Sequence, residues 1–242
     1  NAARERARRR INSNPTALVP RALLSLENDN ATERFAHEAR DFVGEDQFEL
    51  LQTGLDFADL GLFKEAASII SATCVQGVAD EQLSPLPFYC LAYWASLQEN
   101  DDAAEGYLRR ASKIDRDYVF ASRPEMLEVL AYALDENPTD ANAHYHLGNL
   151  LASFGRVEEA IPHWQQAVLL NPSQSVALRN LGLAHSALED DPAKAAESYR
   201  KAIAARPDDQ TLYRDLAEIL IVDSKRPAAI KLLESMLFEG TR

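Results

Sequence analysis

The feature that most constrains this chain is a unit of about 34 residues that recurs along most of its length. The clearest copy opens with Ala141-Asn142-Ala143-His144-Tyr145-His146-Leu147-Gly148 and continues through Gly155, Ala160, Trp164, Ala167 and Pro172. From Gly148 the steps to Ala160, Ala167 and Pro172 are 12, 7 and 5 residues. The same steps lead from Ala92 to Ala104, Ala111 and Arg116, from Gly54 to Ala66, Thr73 and Val78, and from Ala217 to Ala229, Met236 and Thr241. From Gly182 the first step is 13, reaching Ala195, and the next two reach Ala202 and Pro207. The extra residue falls in Glu189-Asp190-Asp191-Pro192, a polar turn where an insertion costs little.

The spacing has a physical cause. Two helices in close contact need small residues where their backbones approach, which explains Gly148, Gly54, Gly182, Ala92 and Ala160. Bulky residues such as Leu147, Trp164, Tyr199, Leu108 and Leu233 fill the space beside them. Gly61, Gly155 or Asn100-Asp101 break the chain between the helices of a pair, and proline ends the second helix because it cannot continue the ladder.

On these residues the chain resembles the tetratricopeptide repeat family, over about residues 47–242. The resemblance implies an all-α fold, a right-handed α-solenoid (superhelix) of antiparallel helix pairs. The units are placed at 47–80, 85–118, 141–174, 175–209 and 210–242. The stretch 119–140 is an irregular half repeat: a helix starts at Arg123-Pro124-Glu125 and runs to about Asn137, and its partner has shrunk to a turn around 117–122. Residues 1–46 hold one or two helices over 2–10 and 20–28 and a clear one at 31–43, read as a degenerate repeat or a cap over the end of the core. The whole is one continuous solenoid with a bend at 119–140.

Composition agrees, with 46% hydrophobic and 26% charged residues and only nine glycines. No apolar run reaches the roughly 18 residues of a membrane span. The first residues, Asn1-Ala2, include no initiator methionine and read as the remnant of a cleaved tag on a piece of a larger protein. A cytoplasmic location is expected. Two cysteines, Cys74 and Cys90, make no disulfide framework and read as free apolar thiols. A net charge of −13 argues against a nucleic-acid partner, and no membrane partner is expected. The one basic cluster, Arg4, Arg6, Arg8, Arg9 and Arg10, reads as a solvated helix face, with an acidic partner or an upstream domain as the alternative.

No chemistry competes with a binding role, so no catalysis, cofactor or metal is expected. There is no phosphate-binding glycine loop, nucleophile elbow or His-Glu-x-x-His run. His144 and His146 are two apart and point in different directions on a helix. His144 and His185 read as core positions. His163, beside Trp164, makes a metal site only with His144 and a nearby acid.

The resemblance implies that the first helix of each pair lines a concave groove for a protein or peptide. The groove candidates are Tyr89 and Tyr93 with Ser96; Asn142, Tyr145 and Asn149 with Ser153; Arg179 and Asn180 with Leu183 and Ser186; and Arg214 with Thr211 and Glu218. Tyr145 and Asn149 are four apart and share a face. Relatives that grip a C-terminal carboxylate use two Lys, two Asn and one Arg. Here Asn149 and Asn180 stand at the Asn places, but Tyr145 and Thr211 replace the lysines and Asp215 the arginine. Acidic C-terminal peptides are therefore expected to bind weakly or not at all.

Residues 118–130 and 137–151 are also similar to the repeat region of large bacterial proteins that carry an N-terminal β-sandwich and a carbohydrate-related label. That resemblance implies the alternative role of a C-terminal helical arm, with an upstream domain of the same polypeptide as partner. At the chain's end, Leu233, Met236, Leu237 and Phe238 suggest an apolar patch for weak homodimerisation through the C-terminal helix or docking by another domain, unless these side chains bury inward.

Overall fold

The computed structural model describes residues 47–59, 61–74, 83–114, 119–223 and 225–239. All regular structure among them is helical: α1 (Gln47–Ala58), α2 (Phe63–Cys74), α3 (Leu86–Ser96), α4 (Asp101–Ala111), α5 (Met126–Glu136), α6 (Ala141–Ser153), α7 (Val157–Leu170), α8 (Ser175–Ala187), α9 (Pro192–Ala205), α10 (Gln210–Val222) and α11 (Arg226–Glu239). They fall into two compact units, Asn1–Arg116 and Asp117–Arg242. The helices expected at 2–10, 20–28 and 31–43, the arginine cluster and His37 lie outside the described residues.

In the first unit α1 packs on α2, α2 on α3 and α3 on α4. A methyl group on Gly54 would stand 2.6 Å from Ile70 Cδ1 and 3.4 Å from Trp94, so the absent side chain lets the helices meet. Helix α3 is apolar on all sides and buries Phe88, Tyr89, Cys90, Leu91 and Trp94. Cys90 is buried and in no disulfide, and Cys74 contributes no described side chain. Gly61 turns the chain in the left-handed region (φ 78°). In the corresponding turn of the next pair Glu99 adopts that conformation (φ 58°), and Asn100 caps α4 through the Ala103 amide.

In the second unit each helix packs on its neighbours in sequence, from α5 on α6 to α10 on α11. Caps set the starts. Asp140 accepts from the amides of Asn142 and Ala143, Asp191 from Lys194 and Asp209 from Thr211. Gly155 (φ 76°) turns between α6 and α7, and Asp190 (φ 50°) sits in the lengthened turn before α9. Two glycines mark the closest approaches. A methyl on Gly148 would lie 2.7 Å from Trp164, and one on Gly182 would lie 2.8 Å from Tyr199. The expected helix after Arg123-Pro124-Glu125 is α5; Arg123 pairs with Glu125 at 2.8 Å just ahead of it, and 119–122 is non-helical.

The last pair closes on Tyr199, Leu216, Ala217, Leu220 and Ala229. Leu233 packs against this cluster and adds to the core. The side chains of Met236, Leu237 and Phe238 lie outside the described residues.

Candidate functional site

The site in the second unit begins with one asparagine. Asn149, on α6, is buried, and its Oδ1 accepts from Trp164 Nε1 at 2.9 Å and from Asn180 Nδ2 at 2.8 Å. One bond ties α6 to α7 within a pair, and the other ties α6 to α8 across pairs. Asn149 Nδ2 is buried without a partner. A cavity of about 410 Å³ opens beside these residues. Its polar wall is Asn149, Asn180 and Ser153, and its apolar wall includes Trp164, Val157, Ala184 and Ala187. Phe120, Leu183 and Leu188 also line it and remain 47, 44 and 48% exposed. Three large apolar side chains around one concavity form a surface that water solvates poorly, the usual character of a recognition site.

The groove candidates separate on this frame. Asn149, Asn180, Ser153 and Leu183 line the cavity together. Tyr89 is corrected: it is wholly buried inside the first unit, on a helix buried at nearly every position, and no ligand reaches it. Tyr93 on the same helix is half-buried. Asn142 and Tyr145 are also corrected, to the interior. Nearly every position of α6 is buried, with α5 and α7 packed on it, and Asn142 Oδ1 accepts from Gln174 Nε2 at 2.9 Å. Arg179 is half-buried and held by Asp215, Nε to Oδ2 at 2.7 Å, so its charge is committed within the repeat array. Arg214 is exposed and lies outside the cavity lining. Phe120, Val157, Trp164 and Leu188 were not anticipated as site residues. Leu188 carried a signal: a large apolar residue at the end of a helix, next to a polar turn.

Charge gathers at the turns that follow this wall. Arg156 binds both oxygens of Glu159 at 2.7 Å and holds that carboxyl below its usual range. Lys194 reaches Glu189 at 3.1 Å and Asp191 at 3.7 Å. Glu158 and Asp190, in the same two segments, are exposed acids.

Two of the described histidines lie side by side. His144 Nδ1 lies 3.0 Å from His163 Nδ1, and His144 Nε2 lies 3.2 Å from the Pro138 carbonyl. Donation to that carbonyl places the His144 proton on Nε2, so His163 donates to His144 Nδ1. Burial, then the adjacent His144, lowers the His163 pKa. His144 is therefore half-buried and polar-bonded, correcting the expected core position. His185 is likewise half-buried, 3.2 Å from Glu189. Among the described histidines the wholly interior one is His146, whose pKa burial lowers to about 3. Among the described residues, no group of three or more His, Cys, Asp or Glu is placed to hold a metal ion. No helix among them is long and apolar enough to cross a membrane.

Two tetratricopeptide repeat models match the sequence, at residues 141–174 and 179–241. They show tetratricopeptide repeats over those residues, and the stacked helix pairs described above are of the α-solenoid class. No curated protein matches the chain. Among solved structures it is similar to MamA 41-end from Desulfovibrio magneticus RS-1, with 19% identity, TM-score 0.44, and 79% of this chain and 94% of that chain covered. PilF of Pseudomonas aeruginosa shares 19% identity at TM-score 0.43, covering 84% of this chain and 77% of that one. YrrB, described as a TPR protein with an unusual peptide-binding site, shares 21% identity at TM-score 0.35, covering 86% and 96%.

Proposed function

We propose that the chain is a non-catalytic scaffold that binds a protein or peptide partner, and that the α6–α8 cavity is the anchor point. The observation that carries this reading is the cavity of about 410 Å³ with Phe120, Leu183 and Leu188 half-exposed in its lining. An apolar concavity of this size with a few fixed amides is suited to seat side chains of a ligand, and the amides orient its backbone. Other apolar side chains, such as Leu169 and Val222, are exposed singly, whereas these three line one concavity. The tetratricopeptide repeats of this unit support the same reading.

Leu183→Asn is the test. It makes the lining polar without changing charge, and Leu183 is exposed enough for the fold to tolerate it. Affinity capture with the two proteins, compared by quantitative mass spectrometry, should show partners retained by the wild type and lost by the variant. Partners captured equally by both would refute the cavity as the anchor.

A further inference from the structure

We propose that the segment seated in this cavity is a basic peptide that inserts one bulky apolar side chain, while a backbone carbonyl beside it accepts from Asn149 Nδ2. The proposal rests on the scaffold reading above and specifies its ligand.

Three observations converge. The first is the unpartnered amide. Asn149 Oδ1 already receives hydrogens from Trp164 and Asn180, so exchanging oxygen and nitrogen would set donors against donors. The orientation is therefore fixed, and Nδ2 is a buried donor without a partner, on a residue that lines the cavity. Buried donors are rarely left so, and because Nδ2 is sealed from solvent a ligand carbonyl meets it only as the side chains around Asn149 shift on ligand entry. The second is the wall itself. It carries no charged side chain, so the inserted group is apolar.

The third is the charge in the two segments that adjoin the lining in sequence. Val157 and Leu188 line the cavity, and each leads directly into acids: Glu158 and Glu159 after the one, Glu189, Asp190 and Asp191 after the other. Arg156 neutralises Glu159, and the single charge of Lys194 is shared by Glu189 and Asp191. Glu158 and Asp190 form no ion pair with any of these bases, so the two turns are net negative. On α8 the Arg179 cation is cancelled by Asp215. The whole chain carries −13, so a cationic segment is drawn in, an acidic one is repelled, and a second copy of the same chain is disfavoured.

The probe is a displayed library of short random peptides, selected on the full chain and on two variants. Leu183→Asn alters the apolar wall. Glu158→Gln with Asp190→Asn removes two charges and leaves the wall intact, and Asn is well accepted at the left-handed backbone of Asp190. Circular dichroism melts check that both variants fold. Enriched sequences should share one large apolar residue flanked by Lys or Arg. A synthesised winner should bind L183N at least about tenfold more weakly. It should bind the charge variant several-fold more weakly, with a reduced dependence on salt. An apolar consensus lost on L183N but indifferent to flanking charge overturns the basic partner and leaves the scaffold reading intact. Sequences enriched equally on L183N overturn both. If no peptide is enriched and the chain sediments as a dimer that L183N dissociates, the occupant is a second copy, and the proposal falls.

Discussion

Gly148→Ala should destabilise the second unit, although alanine is the better helix former. The new methyl would stand 2.7 Å from both Cδ1 and Nε1 of Trp164 and 3.3 Å from the Ala160 carbonyl oxygen, where ordinary contact begins near 3.4 Å. The closest clash is with the indole and the carbonyl is tight as well, so either Trp164 shifts or α7 moves away from α6. Trp164 is buried and its Nε1 is bonded to Asn149, so moving it strains or breaks that bond. Overpacking of this kind costs about 1–3 kcal/mol, and a lost hydrogen bond about 1 kcal/mol. The gain from replacing a helical glycine by alanine is about 1 kcal/mol. The balance is a loss of about 1–3 kcal/mol. Gly106 provides the opposite sign. It lies in α4, exposed, and a methyl added there would meet nothing within 4 Å, so Gly106→Ala should stabilise its unit by about 1 kcal/mol. Urea unfolding followed by circular dichroism and by tryptophan fluorescence measures both. A Gly148→Ala protein at least as stable as the wild type would refute the claim that this glycine is where α6 and α7 must touch.

The remaining expectations concern charge and ligand. Burial lowers the His146 pKa in the folded chain from 6.5 to about 3, so the unfolded chain takes up a proton that the folded chain refuses. Stability from this group is therefore lost as pH falls from 6.5 towards 3, by about 1.4 kcal/mol per unit and on the order of 5 kcal/mol in all. Urea midpoints at several pH values should fall less steeply for His146→Gln than for the wild type. Arg179→Ala strands a largely buried Asp215 and should cost about 1 kcal/mol. A double-mutant cycle with Asp215→Ala should recover part of that loss. Acidic C-terminal peptides should show no micromolar binding by calorimetry, because Arg179 is already held by Asp215 and Glu158 and Asp190 add negative charge.

The sequence disclosed the packing better than the site. Small residues at fixed offsets marked the helix contacts, and Gly148 against Trp164 and Gly182 against Tyr199 are such contacts. Gly61 and Gly155 were readable as turns because positive φ favours glycine, whereas Glu99 takes that conformation without any compositional sign. Groove residues were harder. Helical periodicity places Tyr145 and Asn149 on one face, but it does not say what covers that face. Asn142 and Tyr145 are interior because α6 is packed on nearly all sides, a property of the irregular stretch that precedes it as much as of α6 itself. Phe120 joins the cavity from a non-helical segment that no repeat spacing could place. His146 shows the same limit: its two-residue offset from His144 separated the two rings, but only packing revealed which one is buried.

Whether the cavity is the binding site is tested most sharply by paramagnetic broadening from a bound peptide that carries a nitroxide beside its apolar anchor residue. Amide signals of Asn149, Ser153, Asn180, Leu183 and Ala187 should broaden first, and the effect should disappear in L183N. Broadening centred instead on exposed positions outside the cavity, such as Gln165 on α7 or Glu197 on α9, and unchanged in L183N, would contradict a ligand seated there.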